Sequence, residues 1–213
     1  MSAAEPTVVA PALARVWPDA HCELLASDPW ELLVAAVLSA RTSDQQVNKV
    51  MAVLTEHLVG IAAYARLDHR RMARLIARVP LYPQKARSIV EAARRIIHDH
   101  GGMVPQTMTE LSALPGVGRK TAAVVLANAF DIPAIAADVH VQRIVRRLGW
   151  TTREHAREAE LALSTRFPPQ HWIRLCHQLI RLGRVHCRPL RPKCETCPLR
   201  ATCPRQGVIE NEA

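Results

Sequence analysis

Four of the chain's six cysteines crowd into one short C-terminal segment, CRPLRPKCETCPLRATC, as Cys187, Cys194, Cys197 and Cys203. Six residues separate the first pair, two the second and five the third. The N-terminus, MSAAEPTVVAPALARVW, shows no basic stretch leading into a long apolar run, so no export signal and no disulfide framework are expected. Four thiolates at these spacings describe a metal site, either tetrahedral zinc or a [4Fe–4S] cluster. The segment is too short and too rich in proline to build a core, so the metal would supply its folding energy. Cys22 and Cys176 have no such neighbours and read as small buried hydrophobes.

A second constellation lies upstream, in LPGVGRKTAAVVLANAF, residues 114–130. Pro115 ends a short helix, and Gly116 and Gly118 permit a tight turn into an almost wholly apolar one. This is the pattern of a helix–hairpin–helix. Its turn leaves the amides of the second helix pointing outward, a site suited to a DNA phosphate. Arg119 and Lys120 sit in the first turn of that helix, where the positive end of the helix disfavours cations by up to about 1 kcal/mol. A lysine there makes sense if the neutral amine is its working form. Asp138 follows, in AADVHVQRIVRRLGW, just before an amphipathic helix that it is placed to cap.

The elements that must carry these residues read as helices joined by marked turns. Asp28, Pro29 and Glu31 open one helix with a capping box, and Ser43 with Gln46 opens another. Asp68 starts a third. Pro83 starts a fourth, which stops at Gly101 and Gly102. Thr107 with Glu110 caps the helix before the hairpin, and TREHAREAELALSTRF and PQHWIRLCHQLIRLG read as two more. The glycines, Gly60 and Gly183 among them, read as helix stops and turns. No segment alternates with period two, so the fold class is all-α.

Lysine and arginine number 28 against 19 acidic residues, a net charge of +9. Such a balance suits a polyanionic partner, most simply nucleic acid. Two arginine clusters stand out: Arg66 to Arg78, and a C-terminal group that includes Arg184, Arg188, Arg191 and Lys193. No apolar run is long enough for a membrane helix, and a cytoplasmic protein is expected.

Taken together, LPGVGRKTAAVVL, ADVHVQRI, the cysteine spacings and the early ELLVAAVLSARTSDQQVNK resemble the endonuclease III family of helix–hairpin–helix DNA glycosylases, over roughly residues 23–203. The resemblance implies that the cysteines hold a [4Fe–4S] cluster rather than zinc. It implies a six-helix domain over 23–133, with the hairpin at about 107–130, and a cluster domain built from 1–22 plus 134–213. A DNA-binding cleft between the two would have Lys120 on one lip and Asp138 on the other. The protein would be a monomer acting on double-stranded DNA that holds damaged bases or abasic sites, and so nucleoid-associated.

The implied activity is that of a bifunctional DNA glycosylase and AP lyase of base excision repair, removing oxidised pyrimidines and nicking 3′ to the abasic site by β-elimination. Lys120 would be the nucleophile and Asp138 its carboxylate partner. Leu81 would be an apolar wedge in the base stack, and Arg41 stands where the family usually has a glutamine that fills the space left by the flipped base. Asp44, Gly116, Val117, Gly118, Arg119, His140 and Arg143 would contact DNA, as would Arg184, Arg188, Arg191 and Lys193. Pro80 and Leu182 also depart from the family's usual residues. A mismatch thymine or uracil glycosylase of the same superfamily is the alternative, which Lys120 weighs against, since such members usually lack the lysine. An adenine glycosylase would also lack it, and a non-catalytic helix–hairpin–helix module would have no use for Lys120 with Asp138.

Overall fold

A computed structural model describes residues 2–208. All regular elements among them are helical, and no described residue lies in a strand. No helix is long and apolar enough to cross a membrane. The chain divides into two compact units. One is the continuous segment Cys22–Ile132, and the other joins the segment through His21 to the chain from Pro133 onward.

The continuous unit holds α2 (Pro29–Leu38), α3 (Asp44–His57), α4 (Gly60–Ala65), α5 (His69–Leu75), α6 (Tyr82–His100), α7 (Met108–Ala113) and α8 (Arg119–Ala129). Its centre is α2 against α8. Every residue of α2 from Leu32 to Leu38 is buried, as is α8 from Ala122 to Ala127. Each fully buried Val or Leu here contributes about 1.5–3 kcal/mol. The remaining helices show one apolar face. Caps start several of them: Asp28 accepts from Glu31 N, Ser43 from Gln46 N, Asp68 from Arg70 N and Thr107 from Glu110 N.

The discontinuous unit contains α1 (Pro6–Val16), α9 (Val139–Arg147), α10 (Ala156–Ser164), a 3-10 turn at Pro169–His171 and α11 (Trp172–Val185). Its core gathers Val9 and Leu13 of α1, Val141, Ile144 and Val145 of α9, Leu163 of α10 and Leu175 and Leu179 of α11. Ala4 and Trp150 fasten the N-terminal segment, with Ala4 N bonded to Leu148 O at 2.9 Å and Trp150 Nε1 to Ala4 O at 2.7 Å.

Two readings of the sequence are corrected here, and one helix is added that the sequence did not announce: α1 carries Pro11 in its interior, which hides its period. The six-residue α4 begins at Gly60 rather than stopping there, so residues 22–132 hold seven helices and not six. Gly183 lies inside α11, in its last turn, and is no helix stop.

Candidate active site and metal centre

The turn between α7 and α8 is the hairpin read from the sequence, and its two glycines do different work. Gly116 has φ +75, and a Cβ there would lie 2.5 Å from Ser88 Cβ on α6. Only glycine fits. Gly118 has φ −88, a value open to any residue, and a Cβ there would meet nothing within 4 Å. The chain's own fold therefore does not demand glycine at 118, and the open space lies at the N-terminus of α8, which no side chain caps. That arrangement leaves amide donors for an anion that must come close.

Val117 is corrected. Its side chain is buried and its N–H bonds Leu114 O at 3.1 Å, so side chain and amide both serve to lock the turn. Arg119 and Lys120 are exposed. Lys120 is the second residue of a helix whose following residues are nearly all buried, so its backbone is held by the core while its amine reaches solvent.

Asp44 is the first residue of α3, behind the Ser43 cap. The half-buried Cys22 thiol lies within electrostatic range of both Asp44 and Lys120. Burial raises its pKa; the Leu24 amide and Lys120 counter this, while Asp44 adds to it. Cys22 is thus only half the buried hydrophobe expected, whereas Cys176 is fully buried and its thiol is pushed up to about 12 by desolvation.

Arg41 and Leu81 share an unusual backbone: both are exposed, and both have left-handed φ, +60 and +61. Leu81 occupies the N-cap position of α6 with no side-chain cap bond. It is 51% exposed, so it is not a core leucine. Between them lies a residue that sequence reasoning missed. Lys85 is buried, and its Nζ donates to Leu38 O at 2.8 Å, Ala40 O at 2.6 Å and Thr42 Oγ1 at 3.5 Å. Desolvation lowers its pKa.

In the other unit Asp138 caps α9. Its Oδ1 accepts from His140 N and Val141 N, both at 2.9 Å, and Oδ2 takes no part in the cap. The cap fixes the carboxylate in one orientation. His140 is half-buried against Gly183, where a Cβ would come within 2.7 Å of its Nδ1. Arg143 Nη2 donates to that Nδ1 at 3.0 Å, which makes it an acceptor and places the proton of the neutral ring on Nε2. Burial lowers the His140 pKa; Asp138 opposes this and Arg143 and Arg184 reinforce it. Gly183 is therefore inside a helix because α11 must approach His140 closely.

Arg143 is the second correction. It is buried, and its guanidinium donates to Cys187 O at 2.9 Å, Gly183 O at 3.2 Å and Val139 O at 3.3 Å besides His140. These bonds tie it to the protein's own loop. One turn further, Arg147 does the same. Its Nη1 donates to Arg188 O at 2.6 Å and lies 3.3 Å from Cys187 Sγ, and its Nη2 donates to Pro189 O at 3.0 Å. The sequence signal was present as an i, i+4 pair of arginines on an otherwise apolar face, but it reads equally as a solvated basic patch. Arg184, Arg188, Arg191 and Lys193 are exposed.

The four cysteines line one pocket together with Arg147, Lys193, Arg200 and Arg205. Leu199 anchors their loop, 1% exposed in the core of this unit. Among the described residues no three Cys, His, Asp or Glu side chains converge as a single metal ion requires. Arg147 Nε is buried without a hydrogen-bond partner, beside these thiols. Burial pushes the Cys197 thiol up to about 11 and raises that of Cys203, so an occupant must displace protons to gain thiolate ligands. The four sulfur donors, with cations and one unsatisfied N–H beside them, are a donor set that fits a metal–thiolate group.

Residues 34–169 match the family model of the HhH-GPD superfamily base excision DNA repair proteins. The chain is 41% identical to endonuclease III of Bacillus subtilis over 90% of its own length and 88% of that protein's. It is 35% identical to the Escherichia coli K12 endonuclease III over 91% and 92%. Its structure is similar to that of a trapped endonuclease III–DNA covalent intermediate, with TM-score 0.89, 39% identity and coverage of 94% and 96%. A thermostable thymine-DNA glycosylase is also similar, with TM-score 0.84, 26% identity and the same coverage. The chain belongs to the endonuclease III family of the HhH-GPD superfamily.

Proposed function

We propose that this protein is a bifunctional DNA glycosylase and AP lyase of base excision repair, acting on duplex DNA that carries oxidised or ring-saturated pyrimidines or abasic sites. The observation that carries the reading is Lys120: an exposed amine on the second residue of a buried helix, directly behind an uncapped hairpin turn. Similarity to a protein caught in covalent linkage to DNA supports an amine nucleophile.

The target nucleotide must leave the stack before its sugar can be attacked. Exposed Leu81 and Arg41 suit the vacated space, and the open α8 N-terminus at Gly118 suits a phosphate. The Lys120 amine attacks C1′, the glycosidic bond breaks with its electron pair on the base, and the base takes up a proton from solvent water as it leaves. Asp138 stabilises positive charge at the sugar and accepts the proton that Lys120 gives up. The sugar ring then opens, the C1′–O4′ bond breaking with its electron pair and a proton on O4′, and the Schiff base so formed acidifies the C2′ proton. Its removal expels the 3′ phosphate, and hydrolysis of the imine frees Lys120. Arg184, Arg188, Arg191 and Lys193 track the backbone. Cys187, Cys194, Cys197 and Cys203 hold a [4Fe–4S] cluster, which supplies the cross-link that folds their loop. The protein works as a monomer in the cytoplasm, on the nucleoid.

Borohydride trapping on duplexes with single oxidised pyrimidines tests the reading. A covalent adduct is expected from the wild type and none from Lys120→Ala. Base release with no trapped adduct from the wild type would overturn the lyase and favour the thymine or uracil glycosylase reading, to which the 26% identical neighbour gives some weight. The purified protein should be brown; a colourless protein with stoichiometric zinc would overturn the cluster.

A further inference from the structure

Lys85 has no part in the chemistry above, yet the residue is only 6% exposed and its ammonium sits among three neutral oxygens. Burying a charge without a counter-ion is costly, and two backbone carbonyls and a hydroxyl compensate it only in part. Capping the C-terminus of α2 explains the bond to Leu38 O, because a cation is favoured there. It does not explain the bonds to Ala40 and Thr42, which lie beyond the helix end and flank Arg41.

The backbone of Lys85 makes a further link. Its N–H donates to Leu81 O at 3.0 Å. One residue therefore bonds the residue on each side of Arg41 through its side chain and the Leu81 carbonyl through its main chain. Arg41 and Leu81 are both exposed, and both hold a left-handed backbone that glycine or asparagine would adopt more easily. An arginine and a leucine kept at such positions are kept for their side chains. A strained backbone persists only where its surroundings over-determine it, and here Lys85 ties both bends.

Resting on the glycosylase reading, we infer that Lys85 is a positioning residue: it holds the Ala40–Thr42 bend and the start of α6 in one register, so that Arg41 and Leu81 enter the duplex together when the nucleotide is flipped out. Lys85 touches no substrate in this account. It acts only through those two side chains.

The test compares two substrates under single turnover with full-length, cluster-loaded protein. One is a duplex with an oxidised pyrimidine opposite a normal base, whose release requires the flip. The other is a preformed abasic site opposite a tetrahydrofuran position, where no orphan base must be accommodated. Lys85→Met keeps the unbranched stem, one atom shorter, and removes its charge. Base release should fall roughly 100-fold, the scale of loss when a positioning contact slips by an ångström. Strand nicking at the preformed abasic site should change by less than about 3-fold. 2-Aminopurine opposite the lesion should also lose its unstacking signal in the variant.

A double-mutant cycle separates positioning from simple stability. In an Arg41→Ala/Leu81→Ala background, Lys85→Met should add almost nothing to the defect. Equal losses on both substrates, full additivity in the cycle, or unchanged base release would each overturn the inference. If Lys85→Met does not fold, Lys85→Arg, which keeps the charge but displaces the bend, must show the same split between substrates or the inference fails. A wild type that nicks neither substrate would instead overturn the lyase reading itself.

Discussion

Gly116→Ala is the sharpest perturbation of the hairpin. The new Cβ would sit 2.5 Å from Ser88 Cβ and 2.7 Å from its Oγ. Ser88 Cβ hangs directly on the backbone of α6, so no rotamer change relieves the clash, and α6 or the turn must shift. Overpacking of this kind costs about 1–3 kcal/mol. The φ of +75 adds about 1–2 kcal/mol for any residue with a Cβ. A total near 3.5 kcal/mol, at roughly 2–4 °C per kcal/mol for a chain of this size, predicts a Tm lower by roughly 7–14 °C. Gly118→Ala is the control. Its backbone is already extended and its Cβ meets open space, so Tm should stay within roughly 3 °C. Affinity for an abasic duplex, read by fluorescence anisotropy at fixed salt, should nevertheless fall for Gly118→Ala, because the methyl group occupies the place of the approaching phosphate. Equal thermal effects for the two variants, or Gly116→Ala within 2–3 °C of the wild type by the same scale, would refute the division of roles.

Asp138→Asn keeps an acceptor for the His140 and Val141 amides, so stability should change by less than about 0.5 kcal/mol while turnover collapses; normal turnover would reduce Asp138 to a cap. Arg147→Met strands the Arg188 and Pro189 carbonyls and should cost about 2–4 kcal/mol, visible as faster bleaching of the brown chromophore on warming. His140 has a lowered folded pKa, so the unfolded chain binds the proton more readily. Its share of stability is complete above the ordinary histidine value of about 6.5 and is lost as pH falls through that value towards the folded one. His140→Asn, which keeps an acceptor for Arg143, should therefore show a flatter fall of Tm between about pH 7 and 5 than the wild type; identical slopes would exclude this histidine as the source.

Much of this was legible in the residues. Caps such as Asp28 and Ser43 announce helix starts by local hydrogen bonding, which does not depend on the rest of the fold. The hairpin was legible for the same reason, since Pro115 and Gly116 constrain the chain within a few residues. What failed to show was set by tertiary packing. Arg143 reads as a DNA contact from its charge and place, but only the folded structure turns it inward onto the Cys187 carbonyl. Val117 sits in a motif of exposed residues and is nonetheless the one whose side chain is buried. Lys85 and Leu38 are 47 residues apart, so no local pattern could signal their bond. Gly183 looked like punctuation because its reason, the His140 ring, comes from another helix.

The division of the chain into one continuous and one interrupted unit has a consequence during synthesis. Residues 22–132 can close their core as soon as they emerge. Helix α1 cannot, because its apolar face has no partner until α9 and α11 exist. Trp150, which bonds Ala4, lies 146 residues downstream. At about 5–20 residues per second the N-terminal helix waits roughly 10–30 s with Val9 and Leu13 uncovered. A helix made before residues 22–132 thus folds after them, and for that interval the ribosome-bound chain presents an apolar face to whatever chaperones are at hand.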